Sequence, residues 1–284
     1  MITKKILLLI AEVLRLKDYK IKRSKVFRLM ILPLLILSLT TGCGSNSAGF
    51  DKIVIGIDDE FAPISFHDEQ DKLVGFDIDL ALEAGRRMGV EIEFKPIEWS
   101  KKKDELLAGH IDIIWDGLDI TPERKEYMIF SKPYMDDRQI LLVKKDSDLK
   151  IYSEYDLAGK VIGMQAGSTS DDYINSNEKL KKSVRAIKIY DKFGEAVSSL
   201  KNDEVDVVIC DEIVARYEMN IHRDRLEIVE VRVGVNLEMG IGFRKEDTAL
   251  RDKVQEAFDS MVKDGTAKKI SEKWFNADLI KSAR

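Results

Sequence analysis

The sequence predicts an α/β fold made of two lobes with similar architecture. Between Lys52 and Asp116 the spacing of apolar residues alternates between strand and helix periodicity, and the same alternation returns between Lys160 and Asp211. Each half ends with a helix, an acidic strand and a terminal aspartate, although the two spacings differ by one residue. Because an alternating order of strands and helices indicates a mainly parallel sheet, we expect one such sheet in each lobe.

In the first lobe, the caps and the periodicity predict the individual elements. Asp77 is predicted to cap one helix, Ser100 is predicted to cap a second one that runs to Ala108, and Thr121 a third with Pro122 at its first position. The acidic segment 68–72 lacks the glycine and the distant glutamate of a calcium-binding loop, so we interpret it as a hairpin turn. The predicted strands cover residues 52–57, 73–76, 90–97 and 111–115.

The second lobe has a comparable series of elements. A helix is predicted to start at Gly167–Ser170, and the chain later returns through apolar segments to two final helices that can pack on either lobe. The predicted strands cover residues 160–164, 184–190 and 205–209, and the remaining helices cover 193–202, 248–263 and 266–275.

The composition indicates a folded protein with an acidic body. The 284 residues are 44% hydrophobic and 34% charged, with a formal net charge of -5. Residues 1–42 contain nine Lys or Arg and two Asp or Glu, which leaves 37 basic and 49 acidic residues and a net charge near -12 in the remainder. Because an acidic surface does not attract polyanions, we expect no nucleic-acid partner.

The first 42 residues have the pattern of a bacterial export signal. A basic stretch precedes the apolar run Leu29–Leu39, which is shorter than the ~20 residues needed to span a membrane. Small residues then lead to Cys43 and resemble a lipobox, in which the cysteine is lipidated, although Thr40 stands where such motifs usually have Leu. We expect a signal peptide at 1–42 and a lipidated Cys43 with a tether over 43–51. A soluble exported protein and an uncleaved anchor are the alternatives.

The segment Ile111–Arg124 is the best local candidate for a binding site. It places Asp116, Asp119 and Arg124 at the carboxyl end of a predicted strand, where ligands of open α/β sheets collect. Both signs of charge at one strand end suit a zwitterion, although an ordinary solvated strand–turn–helix connection explains this segment equally well. If the two sheets face each other, Asp116 and Asp211 point into one cleft.

With these motifs assembled, the chain resembles the bacterial extracellular solute-binding proteins of family 3. These are polar amino-acid-binding proteins of ABC importers, such as those for glutamine, histidine and lysine/arginine/ornithine. The resemblance covers about residues 52–276 and implies a two-lobed, periplasmic-binding-protein-like (type II) fold with two hinge strands that encloses its ligand on closure. It rests on the segments 58–63, 75–80, 117–124, 130–134, 167–169, 250–254 and 273–275, and on Asp211.

The resemblance also implies a domain organisation and partners. Hinges near 133–138 and 232–238 would divide the chain into lobe 1, residues 52–134 plus 238–284, and lobe 2, residues 135–237. It implies a monomer outside the cytoplasm, anchored to the cell membrane by lipidated Cys43, that delivers a free amino acid to an ABC permease.

The resemblance further implies roles for individual residues. Arg124 is the bidentate partner of the ligand carboxylate, and the backbone N–H groups of Ser168 and Thr169 form a second clamp for it. Asp211 accepts the ammonium group. Unpaired buried charges cost several kcal/mol, so an enclosed amino acid requires partners of this kind. The complete predicted site comprises Asp58, Phe61, Trp99, Asp116, Gly117, Asp119, Arg124, Gln165, Ser168, Thr169 and Asp211, with Phe61 and Trp99 stacking on the ligand side chain unless Trp99 is a core residue.

Departures from the family pattern bear on the ligand. Asp119 stands where relatives commonly have Ser or Thr, Asp116 where many have a small residue, and Gln165 where the glutamine binder has Lys. Together with Asp58, these carboxylates predict a neutral or cationic polar amino acid, or cystine, and rank acidic ligands last. A carboxyl group that is protonated by like-charge crowding, or turned outward, would undo this inference.

Two other functions remain open at this point. The same fold serves as the extracytoplasmic input of receptors and sensor kinases, and the resemblance extends to cyclohexadienyl dehydratases. The sequence contains no signalling domain after residue 275, and an Asp-rich pocket is a poor host for a prephenate-like dicarboxylate. We therefore expect transport, with no enzymatic activity, metal or cofactor.

Overall fold

The computed structural model describes residues 50–281. The predicted signal peptide, Cys43 and most of the tether lie outside the described residues. The described chain contains two five-stranded sheets flanked by helices and one small three-stranded sheet. This arrangement confirms the predicted two-lobed α/β fold.

Thirteen strands are present among the described residues, in chain order. They are β1 Lys52–Ile57, β2 Glu60–Phe61, β3 Ser65–His67, β4 Leu73–Val74, β5 Glu91–Pro96, β6 Ile113–Ile114, β7 Met128–Phe130, β8 Met135–Lys144, β9 Val161–Gln165, β10 Ala186–Tyr190, β11 Val207–Asp211, β12 Leu226–Met239 and β13 Gly242–Arg244.

The helices of the described part pack on the faces of the two sheets. They are α1 Phe76–Met88, α2 Lys102–Leu107, α3 Pro122–Lys125, α4 Thr169–Ser176, α5 Glu178–Ser183, α6 Phe193–Lys201, α7 Glu212–Ile221, α8 Thr248–Lys263 and α9 Thr266–Phe275, with short 3₁₀ turns at Trp99–Lys101 and Glu154–Leu157. The two terminal helices, α8 and α9, pack on α1 in the first lobe. None of the described helices is long and apolar enough to span a membrane.

The two large sheets have the same design. The first has the order β5-β1-β6-β13-β7, in which β5, β1 and β6 are parallel and β13 runs antiparallel to both of its neighbours. The second has the order β10-β9-β11-β8-β12, again with three parallel strands followed by antiparallel ones. The carboxyl ends of the parallel strands therefore lie along one edge of each sheet, where the predicted site residues follow.

Two long antiparallel strands connect the lobes. β8 and β12 pair from Met135 opposite Met239 as far as Lys144 opposite Leu226, with register shifts near Val233. The end of β12 is also tied to the first lobe, because Met239 forms an isolated bridge with Asp119. The predicted hinge segments lie on these strands, and the lobe boundaries at 134/135 and 237/238 stay predictions.

The start of α1 differs from the sequence-based prediction. Asp77 was expected to cap this helix, but Gly75 occupies the N-cap position and Asp77 is the second helical residue. Gly75 has φ 151°, and a Cβ there would lie 2.1 Å from the carbonyl oxygen of Ile64. Glycine is required because the chain must pass this close to the β2–β3 turn. Asp77 is thereby turned inward instead of towards the helix end.

Other elements differ in extent. The predicted strand 111–115 is reduced to Ile113–Ile114, which pairs with β1 and β13, although its apolar residues are all buried. The helix predicted from Ser100 begins with a 3₁₀ turn at Trp99. Helices α5 and α7 were not predicted at all. The predicted cap at Thr121 is confirmed, since its side chain accepts the backbone N–H three residues further on. Ser168 caps the helix predicted to start at 167–170 in the same way.

Asp77 joins three parts of the first lobe. Its Oδ2 accepts hydrogen bonds from the Gly117 backbone at 2.7 Å and from the Tyr134 hydroxyl at 2.8 Å. All three groups are buried, and burial raises the pKa of Asp77 to about 7. A buried carboxyl group is costly without partners, so the Tyr134 hydroxyl helps to hold the Gly117 turn next to the first hinge segment.

We predict that Tyr134→Phe lowers the free energy of unfolding by about 1–3 kcal/mol, because it removes one of the two hydrogen-bond donors to a buried carboxyl group. Urea denaturation measures this change. Tyr152→Phe is the matched control, because Tyr152 is 83% exposed and its substitution is expected to stay within about 0.5 kcal/mol. Equal losses in the two variants would contradict the role given to the Asp77–Tyr134 hydrogen bond.

Candidate functional site

A cavity between the two lobes brings the predicted site residues together. About 440 Å³ of space among its lining residues is free of protein atoms, a figure that includes open solvent. All eleven predicted residues line this cavity, and so do five that the sequence did not indicate. The lining consists of Asp58, Phe61, Trp99, Asp116, Gly117, Asp119, Arg124, Gln165, Ser168, Thr169 and Asp211, together with Gln139, Ser170, Phe193, Ile209 and Cys210.

The lobes contact each other directly across this cavity. The Thr169 hydroxyl donates to Asp119 Oδ2 at 2.7 Å, and Lys102 Nζ donates to the carbonyl oxygen of Gly167 at 2.6 Å. Gly167 is packed so closely that a Cβ there would lie 2.8 Å from Cα of Ser100. These contacts join lobe 1 to the turn before α4, so the described structure is a closed arrangement of the two lobes.

Arg124 supplies the positive end of the cavity. Thr121 and Pro122 start the short helix α3, which directs the Arg124 side chain inward, where it is 2% exposed. Its Nη1 donates to the Asp119 carbonyl oxygen at 3.0 Å, and its Nη2 lies 3.4 Å from the Gly167 carbonyl oxygen and 3.6 Å from Asp172 Oδ2. Its Nε is buried and makes no hydrogen bond with the described residues. A planar guanidinium with a free donor suits a carboxylate.

The predicted backbone clamp at the start of α4 is only partly available. The side chain of Ser168 caps the helix, and its amide N–H donates to the carbonyl oxygen of Gln165 at 3.2 Å. That hydrogen bond would have to open before the amide could reach a ligand. Thr169 is the first helical residue, so its N–H points out of the helix end towards the cavity side.

Three carboxyl groups form the negative end of the cavity. Asp119 from lobe 1 lies beside Asp137 and Asp211 from lobe 2, with one oxygen of each within 4.8 Å of the others. Burial raises the pKa of Asp119 to about 8, and the charge of Asp211 adds to this effect. Burial and the neighbouring carboxylates also raise the pKa of Asp137, and burial raises that of Asp211. Such a cluster accepts a cation.

The chemistry of the neighbours favours an ammonium group at this cluster over a metal ion. Three carboxylates at this spacing can bind either, but the Arg124 guanidinium is hydrogen-bonded to the Asp119 carbonyl and adds a positive charge beside them. Asp119 Oδ1 is buried without a hydrogen-bond partner among the described residues. An ammonium group fits this cluster, because its single charge is repelled less by Arg124 than a divalent metal ion would be, and because it can donate a hydrogen bond to Asp119 Oδ1.

The raised pKa values also determine how pH affects the closed form. A carboxyl group with a pKa of about 8 in this form and about 4 when exposed binds its proton more tightly in the closed form. Ligand-free closure is therefore least costly below pH 4 and becomes more costly as the pH rises towards 8. A bound ammonium group would remove this cost by compensating the negative charges.

Asp58 and Asp116 are already engaged with other groups. Asp116 accepts a hydrogen bond from the Asp58 backbone N–H at 2.5 Å and another from the Ser65 hydroxyl. Burial, and next the charge of Asp58, raise the pKa of Asp116 well above its usual range. Asp58 accepts hydrogen bonds from Gln165 and Lys192. The expected crowding of carboxyl groups therefore exists, and it weakens the inference that every one of them is available to a ligand.

Aromatic rings form the walls of the side-chain end. Phe61 from lobe 1 and Phe193 from lobe 2 meet edge to face, with ring centroids 5.8 Å apart. Trp99 lines the cavity with 7% of its surface exposed, and Lys102 Nζ lies 5.2 Å from its ring centroid. A side chain between these rings would be held mainly by apolar contact.

Sequence reasoning missed Asp137, Gln139, Ser170 and Phe193. Gln139 donates to Asp137 at 3.1 Å and also to Asp211, while its own carbonyl accepts from Ser170. Asp137 and Gln139 are two residues apart on β8, so both side chains face the same side of the sheet. This period-two pair of polar residues before a buried apolar run is the signal that would have indicated them.

Comparisons with known proteins agree with this geometry. A profile of the bacterial extracellular solute-binding proteins, family 3, matches residues 53–277. The ABC transporter arginine-binding protein 1 of Escherichia coli is 30% identical, over 87% of this chain and 98% of that protein. The histidine-binding periplasmic protein of Salmonella typhimurium is 32% identical, over 86% of this chain and 97% of that protein.

A solved structure gives the same result. The substrate-binding protein of an ABC uptake transporter from Streptococcus pneumoniae, crystallised with bound histidine, superimposes with a TM-score of 0.76 at 37% identity. The match covers 82% of this chain and 95% of that one. The match to this structure agrees with the two-lobed fold. This chain therefore belongs to family 3 of the bacterial extracellular solute-binding proteins.

Proposed function

We propose that this protein binds a free α-amino acid between its lobes and delivers it to an ABC permease. The observation that carries the proposal is that one closed cavity presents a positively charged group and carboxyl groups at different places. A guanidinium with a free buried Nε lines one part of it, and the carboxyl groups of Asp119 and Asp211, with Asp137 beside them, line another. An α-amino acid presents a carboxylate and an ammonium group on neighbouring atoms, so it satisfies both parts at once.

The proposed residue roles follow from these contacts. Arg124 binds the ligand carboxylate, with the Thr169 amide as a second donor. The ammonium group is surrounded by Asp211, Asp119 and Asp137. Gln139 orients Asp137 and Asp211 by donating hydrogen bonds to them. The ligand side chain is enclosed by Phe61, Trp99 and Phe193. Gly117 lets the chain turn next to Phe61, because a Cβ at Gly117 would lie 3.1 Å from Cε1 of Phe61. The ligand is a neutral or cationic polar amino acid or cystine, and acidic amino acids are disfavoured by the carboxyl groups.

Closure of the lobes is the proposed functional step. Residues 52–134 and 238–284 form one lobe and residues 135–237 the other, and they move about the paired segments of β8 and β12. The ligand favours the closed form because it bridges Arg124 in one lobe and Asp211 in the other. The permease then recognises this closed form. We propose no catalytic activity, in keeping with relatives that are amino-acid-binding proteins.

The location of the protein is the remaining part of the proposal. Export by the segment 1–42 and lipidation of Cys43 would hold a monomeric binding protein at the outer face of the cell membrane, next to its permease.

We predict that Arg124→Ala abolishes the stabilisation by every amino-acid ligand, because no other cation in the cavity can replace its planar fork. A thermal-shift screen of the purified protein against the common amino acids and cystine measures this effect, since a ligand at 100 times its dissociation constant stabilises the folded state by about 2.7 kcal/mol. Calorimetric titration at low temperature separates lost binding from lost stability.

Arg86→Ala is the matched control. Arg86 is an exposed arginine of lobe 1 that pairs with Glu83 on the same helix, so its removal is expected to leave the ligand-induced shift unchanged. An Arg124→Ala protein that binds amino acids as the wild type does would remove the proposed carboxylate anchor. A wild type that none of these ligands stabilises would contradict the proposed function.

We predict that Cys43→Ser releases the protein from the membrane fraction, because the lipid attachment point is lost. Fractionation of cells followed by immunoblotting measures the distribution. Ser47→Ala is the control, because it changes the same polar tether and leaves Cys43 in place. Unchanged membrane association of Cys43→Ser would contradict lipidation at this residue.

A further inference from the structure

We propose that Lys192 is a specificity-determining residue that pairs with Asp58 of the cavity lining and thereby biases the site towards amino acids with uncharged polar side chains. The inference rests on the proposed function, because it concerns which amino acid the site selects. It narrows the ligand from a neutral or cationic amino acid to a neutral one.

Lys192 reaches across the cleft from the second lobe. It immediately precedes α6, whose first residue, Phe193, is part of the cavity wall. Its Nζ lies 3.1 Å from Asp58 Oδ1 and 2.7 Å from Asp59 Oδ1, both in the first lobe. Asp58 is 2% exposed whereas the Lys192 side chain is 25% exposed, so the lysine enters the side-chain end from the solvent side.

The carboxylate of Asp58 has no oxygen left without a donor. Its Oδ1 accepts from Lys192 and, at 3.0 Å, from the Glu60 backbone N–H. Its Oδ2 accepts from the Gln165 side-chain amide. A ligand guanidinium or ammonium group would therefore have to displace Lys192, Gln165 or both before it could pair with Asp58.

The other carboxyl group at this end does not offer a free negative charge either. Asp116 accepts hydrogen bonds from the Asp58 backbone and the Ser65 hydroxyl, and it is 1% exposed. Burial raises its pKa well above the usual range, which disfavours a negative charge on Asp116. The charge of Asp58 is thus compensated by Lys192, and the side-chain end lacks an unpaired anion.

The balance of charges decides which side chains fit. An arginine or lysine side chain must compete with an ammonium group that is already attached to the protein, and displaced Lys192 would leave Asp59 without its closest cation. A neutral polar side chain can hydrogen-bond to Gln165 or to the existing ion pair without displacing either partner. Selectivity is the difference between the affinities for cationic and for neutral amino acids, and competition from Lys192 lowers the affinity for the cationic ones.

The test compares Lys192→Met with the wild type by calorimetric titration against arginine and glutamine. Removal of the built-in cation leaves Asp58 for the ligand, so the ratio of the arginine to the glutamine dissociation constant is expected to fall about tenfold. The lost contact between the lobes weakens both ligands alike, and the ratio cancels this effect. Lys192→Gln provides a second, polar variant, and circular dichroism verifies that both variants are folded.

Two controls separate the position from the charge. Lys188→Met removes a lysine of the same lobe that pairs with exposed Glu204 at 3.3 Å, and it is expected to leave the ratio unchanged. Lys192→Arg keeps the cation and is expected to retain the preference of the wild type for glutamine.

The outcomes distinguish this inference from the proposed function. Binding of both amino acids with an unchanged ratio in Lys192→Met overturns the role of Lys192 and leaves the proposed function intact. A wild type that binds arginine more tightly than glutamine also overturns it. A wild type that binds neither these two nor any other amino acid contradicts the proposed function itself.

Discussion

The cost of burying carboxyl groups next to one another is the constraint on which the rest of the site depends. Closing the lobes brings Asp119 to Asp137 and Asp211, within 4.8 Å and away from water. Without a cation, these groups must take up protons, as the raised pKa of Asp119, about 8, indicates. A bound ammonium group supplies the missing charge. The ligand therefore completes an arrangement that the empty protein stabilises poorly at neutral pH, which is how binding and closure become coupled.

At the side-chain end of the same cavity, the buried carboxylate is already paired with a cation of the protein. There the protein supplies its own cation, because Lys192 pairs with Asp58 across the cleft and Gln165 occupies the other carboxylate oxygen. No Lys or Arg of the described chain forms an ion pair with the carboxyl oxygens of the cluster, whereas Asp58 already has Lys192. This asymmetry orients an α-amino acid, since only its α-ammonium group meets uncompensated carboxyl groups. In the proposed function, it also separates recognition of the amino-acid backbone from selection of the side chain.

The sequence predicted the residues at strand ends and missed those within strands. Asp116 and Asp211 follow apolar strands, and the carboxyl ends of parallel strands converge, so their location in one cavity follows from topology alone. Asp137 and Gln139 lie inside β8, where the sequence predicted only a hinge over 133–138, and Gln139 falls just after that segment. Lys192 was missed because its contacts with Asp58 and Asp59 depend on how the lobes meet, which no local pattern contains. Asp77 was assigned to a cap because the sequence does not reveal how closely Gly75 passes Ile64.

The most direct measurement of the central claim is calorimetric titration with the best amino-acid ligand, its α-amide and its N-acetyl derivative. The amide removes the negative charge that Arg124 is proposed to bind, and acetylation removes the positive charge that the carboxyl cluster requires. An unpaired buried charge costs several kcal/mol, so we expect each derivative to bind at least about 100-fold more weakly than the free amino acid. Binding of either derivative as tightly as the free amino acid would contradict the account.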